Sequence, residues 1–355
     1  MTKAPPVFAR VYRGSGVEST HRGSVSVVDE RGRTVASAGD DAAPIYLRST
    51  AKPFQAMPLL LAGGEKRFRL GDPEIALMCA SHAGEPRHTR VAEAILKRGG
   101  FRVGDLRCGA HAPASEAAAH ALVASGKEPT PLHNNCSGKH AGLLLACRIL
   151  DLPHAAYDEP GHPLHKRIKT LLARYADVAE SSMGSAVDGC NLPVYRIPLS
   201  ALAFAYARLV ADRVAGEDRA VAAVRRRVVR AMIARPEMVA GEGRFTTDFI
   251  VAGRGRWIGK EGAEGVYAVG LAPAKGPAIG IAFKIEDGSL RARDAATLDI
   301  LERLGELPEP IRRALVSYAE PRLTNAAGTD VGRIEAQVPL TRKAAGSSKR
   351  RAAAR

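Results

Sequence analysis

The chain has few aromatic residues, 5% of 355, so a platform for stacking nucleic-acid bases has little material. Long apolar runs are also missing. The longest, such as "MPLLLA" at 57–62, are far too short to span a bilayer. No apolar run follows the start "MTKAPPVFARVYRG", so the expectation is a cytoplasmic protein that makes no use of a membrane. Five cysteines (Cys79, Cys108, Cys136, Cys147, Cys190) form no C-x-x-C pair. That excludes a zinc-finger spacing and argues against a disulfide framework, so a metal site must be assembled from distant segments. Acidic residues are outnumbered, giving a net charge of +15, but six basic residues and no acidic one lie from Thr341 onward, leaving +9 for the rest. That Ala- and Ser-rich end reads as a disordered basic tail, residues 336–355. Nucleic acid would be bound through charge alone and is not expected as a partner.

What is present is alternation at both ends and helical periodicity between them. "FARVYRG" and "GSVSVVDERGRTVASAG" read as strands, with "DERG" as a hairpin turn, and "GVYAVGLAPAKGPAIGIAFKIEDG" reads as a second hairpin. Helices are expected over 86–97, 116–124, 137–150, 164–176, 199–214, 219–234 and 295–304. In the helix 219–234, Val221, Val224 and Val228 share a face, and Arg225 to Arg227 are expected on a solvated one. The fold class is therefore α+β. An antiparallel sheet drawn from both chain ends (about 1–60 and 245–335) carries a mostly helical lobe (about 61–244) within one domain, 1–335.

Five segments could carry chemistry. In "LRSTAKPFQA" Ser49 and Lys52 stand three apart, and Pro53 requires a helix to begin there. The pair reads either as an N-cap or as a hydroxyl beside its base. "CASHAGEPRH" places Ser81 and His82 in a Gly-containing turn. "HNNCSGKHAG" is no phosphate loop: His133 stands where the first glycine is needed and His140 where Ser or Thr should follow Lys139. Its Cys136 and Lys139, with Cys190 of "DGCNLP", could instead supply two soft thiolates and an amine to Zn²⁺. "WIGKEGAEGVY" holds Lys260, Glu261 and Glu264 in what reads as a mobile loop with solvated charges.

Taken in order, "RSTAKPFQA", "ASHAGE", "HNNCSGKHAG", "DGC.LP" and "GKEGAEGVY" resemble the asparaginase II family of rhizobial type, with Ala83 and Asn191 as small departures. The resemblance implies a fold like that of serine β-lactamases and glutaminases, and hydrolysis of L-asparagine to L-aspartate and ammonia, that is, an L-asparaginase. It implies two Ser-Lys pairs, Ser49 with Lys52 and Ser81 with Lys260, one zinc ion on Cys136, Lys139 and Cys190, and a homodimer. Candidates for holding the substrate are Arg48 and Asp188, by charge complementarity, with His82 and Asn135 beside them. Either serine could attack. Three rivals stand beside this reading. One is zinc as the catalytic Lewis acid. A second is a penicillin-recognising hydrolase, whose S-D-N and K-T-G companions are missing. The third is a basic nucleic-acid binder.

Overall fold

The computed structural model describes residues 4–343. Strands β1 (Val7–Arg13), β2 (Gly16–Asp29) and β3 (Thr34–Ala38) open the chain. Strand β2 is long enough to serve three neighbours. Its first half pairs with β1, and its second half lies between β3 and the late strand β9 (Ile279–Ile285). The expected turn closes the β2–β3 hairpin: Asp29 Oδ1 accepts the backbone N–H groups of Arg31 and Arg33, and Gly32 takes the left-handed conformation.

Short strands β4 (Pro44–Tyr46), β5 (Gly184–Val187) and β6 (Pro193–Pro198) form a separate three-stranded sheet. β7 (Trp257–Glu261) and β8 (Val266–Leu271) extend the large sheet beyond β9, and β10 (Arg322–Thr324) and β11 (Asp330–Ala336) extend it beyond β1. The early and late hairpins meet antiparallel at β2–β9, from Gly23 opposite Ile285 to Asp29 opposite Ile279, so both chain ends build one sheet, as expected. The alternation of the strands carries this outcome, because one face of each must be buried.

The two lobes are less separate than their sequence suggests. The helix Leu199–Val210, assigned above to the helical lobe, lies on the main sheet. Gly280 of β9 allows it: a Cβ there would strike the carbonyl oxygen of Ala203. One hydrophobic cluster runs from Phe8 and Val25 through Leu143 and Leu202 to Leu301.

Three expectations are corrected. First, the tail does not begin at 336: β12 (Thr341–Arg342) pairs with Ser37 and Ala36, and Lys343 donates its N–H to Val35. β3 would otherwise leave an unpaired edge. Residues 344–355 of the expected tail lie outside the described residues. Second, Arg225 is buried. It pairs with Glu217 (Nε–Oε1 3.0 Å) and donates to the carbonyls of Leu209 and Ala211, so the helix expected to reach 214 stops at Val210. Arg227 binds Glu65 and Asp72. Two of the three arginines that read as solvated satisfy helix ends and carboxylates, while Arg226 is exposed as expected. Third, of the "mobile loop" expected over 257–267, residues 257–261 are β7, buried along its whole length because helix Phe245–Ala252 covers it, while Glu264 in the turn to β8 is exposed as expected.

Candidate active site

Pro53 and the chain geometry around it set the first wall. A 3₁₀ turn, Arg48–Ala51, leads into the helix Lys52–Leu61, with Pro53 in the first turn where its missing N–H costs nothing. Lys52 is buried with 0% exposure. Its amine does not reach for Ser49. It donates to the carbonyl of Ala80 (2.5 Å) and to the hydroxyl of Ser81 (3.1 Å). Ser81 follows the helix Asp72–Met78, in a loop tied down by Ser81 N–H to Val239 O and by His82 N–H to Asn135 O.

From the opposite side comes Lys260 on β7, also fully buried, with its amine 2.8 Å from Ser81 Oγ and 2.8 Å from the carbonyl of Glu261. Close approach of β7 to the first wall depends on Gly262, where a Cβ would lie 3.2 Å from Leu47 O and 3.4 Å from Arg48 Cβ. A single hydroxyl thus sits between two buried amines.

The electrostatics of that chain are uneven. Burial pulls Lys260 down to about 7; Lys52 and Arg244 push it the same way while Glu261 resists. A neutral Lys260 can accept the Ser81 proton, and Lys52 can donate to the same oxygen. Burial would raise Glu261, yet Lys260, Arg244 and Arg293, with the Thr246 hydroxyl, hold it down to about 2.

The sulfurs lie next to the amines. Cys136 stands at the N-cap of the helix Ser137–Ile149, and Lys139 Nζ is 3.0 Å from Cys190 Sγ. The Cys136 thiol is pulled well below the usual thiol range, first by a hydrogen bond from Cys190 and then, against burial, by Lys139 and Lys52. Cys190 is raised by the hydrogen bond it gives to Cys136 and by burial. Burial alone would lower Lys139, but the two sulfurs outweigh it and raise its amine. Among the described residues no three histidines, cysteines or carboxylates converge, so a zinc ion on Cys136 and Cys190 would need Lys139, with its proton displaced, as a third ligand. Two sulfurs and an amine on one buried cluster fit a soft, tetrahedral ion that keeps one position open.

Of the residues expected to hold the substrate, Arg48 and Asp188 meet each other, Nε to Oδ1 at 2.8 Å. Arg48 is held at φ 49°, a conformation uncommon outside glycine and often found at working sites. Asp188 Oδ1 also accepts its neighbour Gly189 N–H. Asn135 is half-buried, and its side-chain oxygen lies 3.2 Å from Cys136 Sγ.

His82 is corrected. Its Nδ1 accepts from Gly84 N–H (3.1 Å), leaving Nε2–H to donate to Ser137 Oγ (2.9 Å), so the fully buried ring has no nitrogen free for a ligand. The Ser49–Lys52 pair is corrected in its geometry. Ser49 is half-buried, and among the described residues its hydroxyl makes no hydrogen bond. Sequence reading missed Arg244, Thr246 and Tyr267, which surround Glu261. Nothing local marks them beyond Gly241 and Gly243 just before Arg244.

A family model described as L-asparaginase II matches residues 9–336. Comparison with curated proteins finds no match. Among solved structures, Mglu in its native form is 15% identical, with 81% of this chain and 66% of that chain covered and a TM-score of 0.41. Mglu in its tris and glutamate form is 15% identical, with 84% and 63% covered and a TM-score of 0.35. The chain spans less than two thirds of the length of either.

Proposed function

The chain belongs to the L-asparaginase II family of amidohydrolases, and from that premise we propose that it hydrolyses the side-chain amide of L-asparagine through a serine activated by buried lysines. One observation carries the reading: Ser81 Oγ held between Lys260 Nζ at 2.8 Å and Lys52 Nζ at 3.1 Å, both amines fully buried.

In this reading Ser49 attacks the amide carbon, because its hydroxyl is half-exposed and uncommitted while Ser81 is locked between amines. The proton moves along the chain. Neutral Lys260 takes one from Ser81, Ser81 takes one from Lys52, and Lys52 takes the Ser49 proton. Apo hydrogen bonds to a nucleophile are commonly long and tighten when substrate binds. Backbone N–H groups of the turn 48–51 receive the oxyanion. The relay then runs backward, protonating the departing nitrogen to ammonia and leaving an aspartyl ester on Ser49. Water hydrolyses that ester, giving its proton to Lys52 as the Ser49 oxygen regains one. Arg48 and Asp188 bind the carboxylate and ammonium of the amino acid through the donors and acceptor that their mutual ion pair leaves free. Cys136, Cys190 and Lys139 would hold a zinc ion, which when bound supplies a fixed positive charge beside the substrate.

A second reading makes Ser81 the nucleophile and Lys260 its direct base, favoured by the fact that Ser81 has a lysine within hydrogen-bond distance and Ser49 has none. Ammonia release and rapid-quench peptide mass mapping separate the two. Ser49→Ala should lose on the order of 10³–10⁶-fold in kcat, with the trapped ester mapping to Ser49 in the wild type. Ser81→Ala should lose about 10²–10⁴-fold, as for an acid–base group. An ester on Ser81 would transfer the role, and no ammonia from asparagine under any condition would remove the activity itself.

A further inference from the structure

Glu261 has no part in the chemistry proposed above, yet it is buried beside it at 6% exposure. It follows Lys260 on β7, and neighbouring side chains on a strand leave by opposite faces. At this last residue of the strand the Lys260 amine nevertheless turns back to the Glu261 carbonyl and comes within 3.8 Å of carboxylate Oε2. That oxygen is gripped by the Thr246 hydroxyl at 2.6 Å, which also meets Tyr267 OH at 3.1 Å. The other oxygen, Oε1, is buried without a hydrogen-bond partner among the described residues, with Arg244 Nη2 standing off at 3.7 Å. A buried carboxylate oxygen left unbonded is expensive. Packing alone would be served as well by an uncharged side chain of the same shape. A charge retained at that cost beside a buried amine points to an electrostatic role.

We propose that Glu261 is a positioning residue for the reaction: a buried counter-charge, anchored by Thr246, that holds the Lys260 amine against Ser81 in opposition to the cations Lys52 and Arg244. The inference rests on Lys260 being the terminal proton acceptor of the relay. The groups acting on Lys260 come from several elements. Lys52 sits on the helix Lys52–Leu61, Arg244 just before the helix Phe245–Ala252, Cys136 at the head of the helix Ser137–Ile149, and Glu261 on β7 itself. Thr246 and Arg293 act on Lys260 through the carboxylate. Glu261 and, more weakly, Cys136 favour the charged amine while burial, Lys52 and Arg244 oppose it, so Lys260 can both take a proton and return it.

The signs are opposite for the two neighbours, and this makes the test. The activity needs neutral Lys260, so kcat/KM should rise with pH through a limb near 7 in the wild type. Glu261→Gln removes the charge that favours the ammonium, so the limb should move to lower pH, by about 1–3 units for a charge at this range. Arg244→Gln removes a repelling cation, so its limb should move to higher pH. Glu261→Asp, which keeps the charge, should stay nearer the wild type than Glu261→Gln. The measurement is the pH dependence of ammonia release from asparagine, with thermal melts to verify folding. A wild-type limb that stays in place, or moves up, in Glu261→Gln overturns the proposal alone. Absence of any limb in the wild type overturns the Lys260 reading and this one with it. Should Glu261→Gln not fold, Arg244→Gln decides, since Arg244 is half-buried at the edge of the site: an upward shift supports the proposal and an unmoved limb overturns it.

Discussion

Asp188 and Arg48 show how much a single contact can be read for. Each is charged, half-buried and bound to the other at 2.8 Å, so neither carries an isolated charge before substrate arrives. An amino acid with both charges can bridge the pair without separating it. Asp188→Asn keeps an oxygen for Gly189 N–H but loses the charge that would meet an ammonium. A hydrogen bond to a charged group contributes about 1.5–3 kcal/mol. The variant should therefore raise KM roughly ten- to a hundredfold and leave kcat within a few-fold, as initial rates over a wide asparagine range would measure. A fall in kcat at unchanged KM would place Asp188 in the chemistry instead. At this scale the sequence was informative about residue type and poor about partner. Ser49, Lys52, Ser81 and Lys260 could all be named from short motifs. That Lys52 serves Ser81 could not, since 29 residues separate them and only the packing of two helix ends brings the amine to that oxygen.

The elements bear the same lesson in a different form. Period-2 alternation identified the two hairpins, and of the seven helices expected from helical periodicity six match observed helices to within two residues at either end, while shorter ones such as Asp72–Met78 and Phe245–Ala252 went unread. Strand β7 was missed because glycine, lysine and glutamate are poor strand formers; covered on one side by the helix Phe245–Ala252 and paired with β8 on the other, it is a strand all the same. Tertiary contact also ended the helix at Val210, through Arg225. A close element contact lies at Gly280, where β9 meets the helix Leu199–Val210 against Ala203 and Ala207. Gly280→Ala should force the helix off the sheet and lose about 1–3 kcal/mol or more, seen as a lower urea midpoint. An unchanged midpoint would show that this helix can slide without cost.

Over the whole molecule, five segments spread from Arg48 to Glu261 form one buried run: two sulfurs and Lys139, then Lys52, Ser81, Lys260 and the Glu261 carboxylate. Removing zinc with a chelator from protein prepared with the metal should raise KM while kcat stays within a few-fold, if the ion only orients substrate; a collapse of kcat with binding retained would support metal-assisted hydrolysis instead. Sequence by itself determined the α+β class, the sheet built from both chain ends, the family resemblance and the types of group at the site, because these follow from local periodicity and short motifs. Tertiary structure decided which amine meets which hydroxyl, that His82 is used up inside the protein, and that Glu261 is buried rather than solvated. The physical reason is that proton affinity and hydrogen-bond partnership depend on desolvation and on neighbours distant along the chain, and neither exists until the core has closed around them.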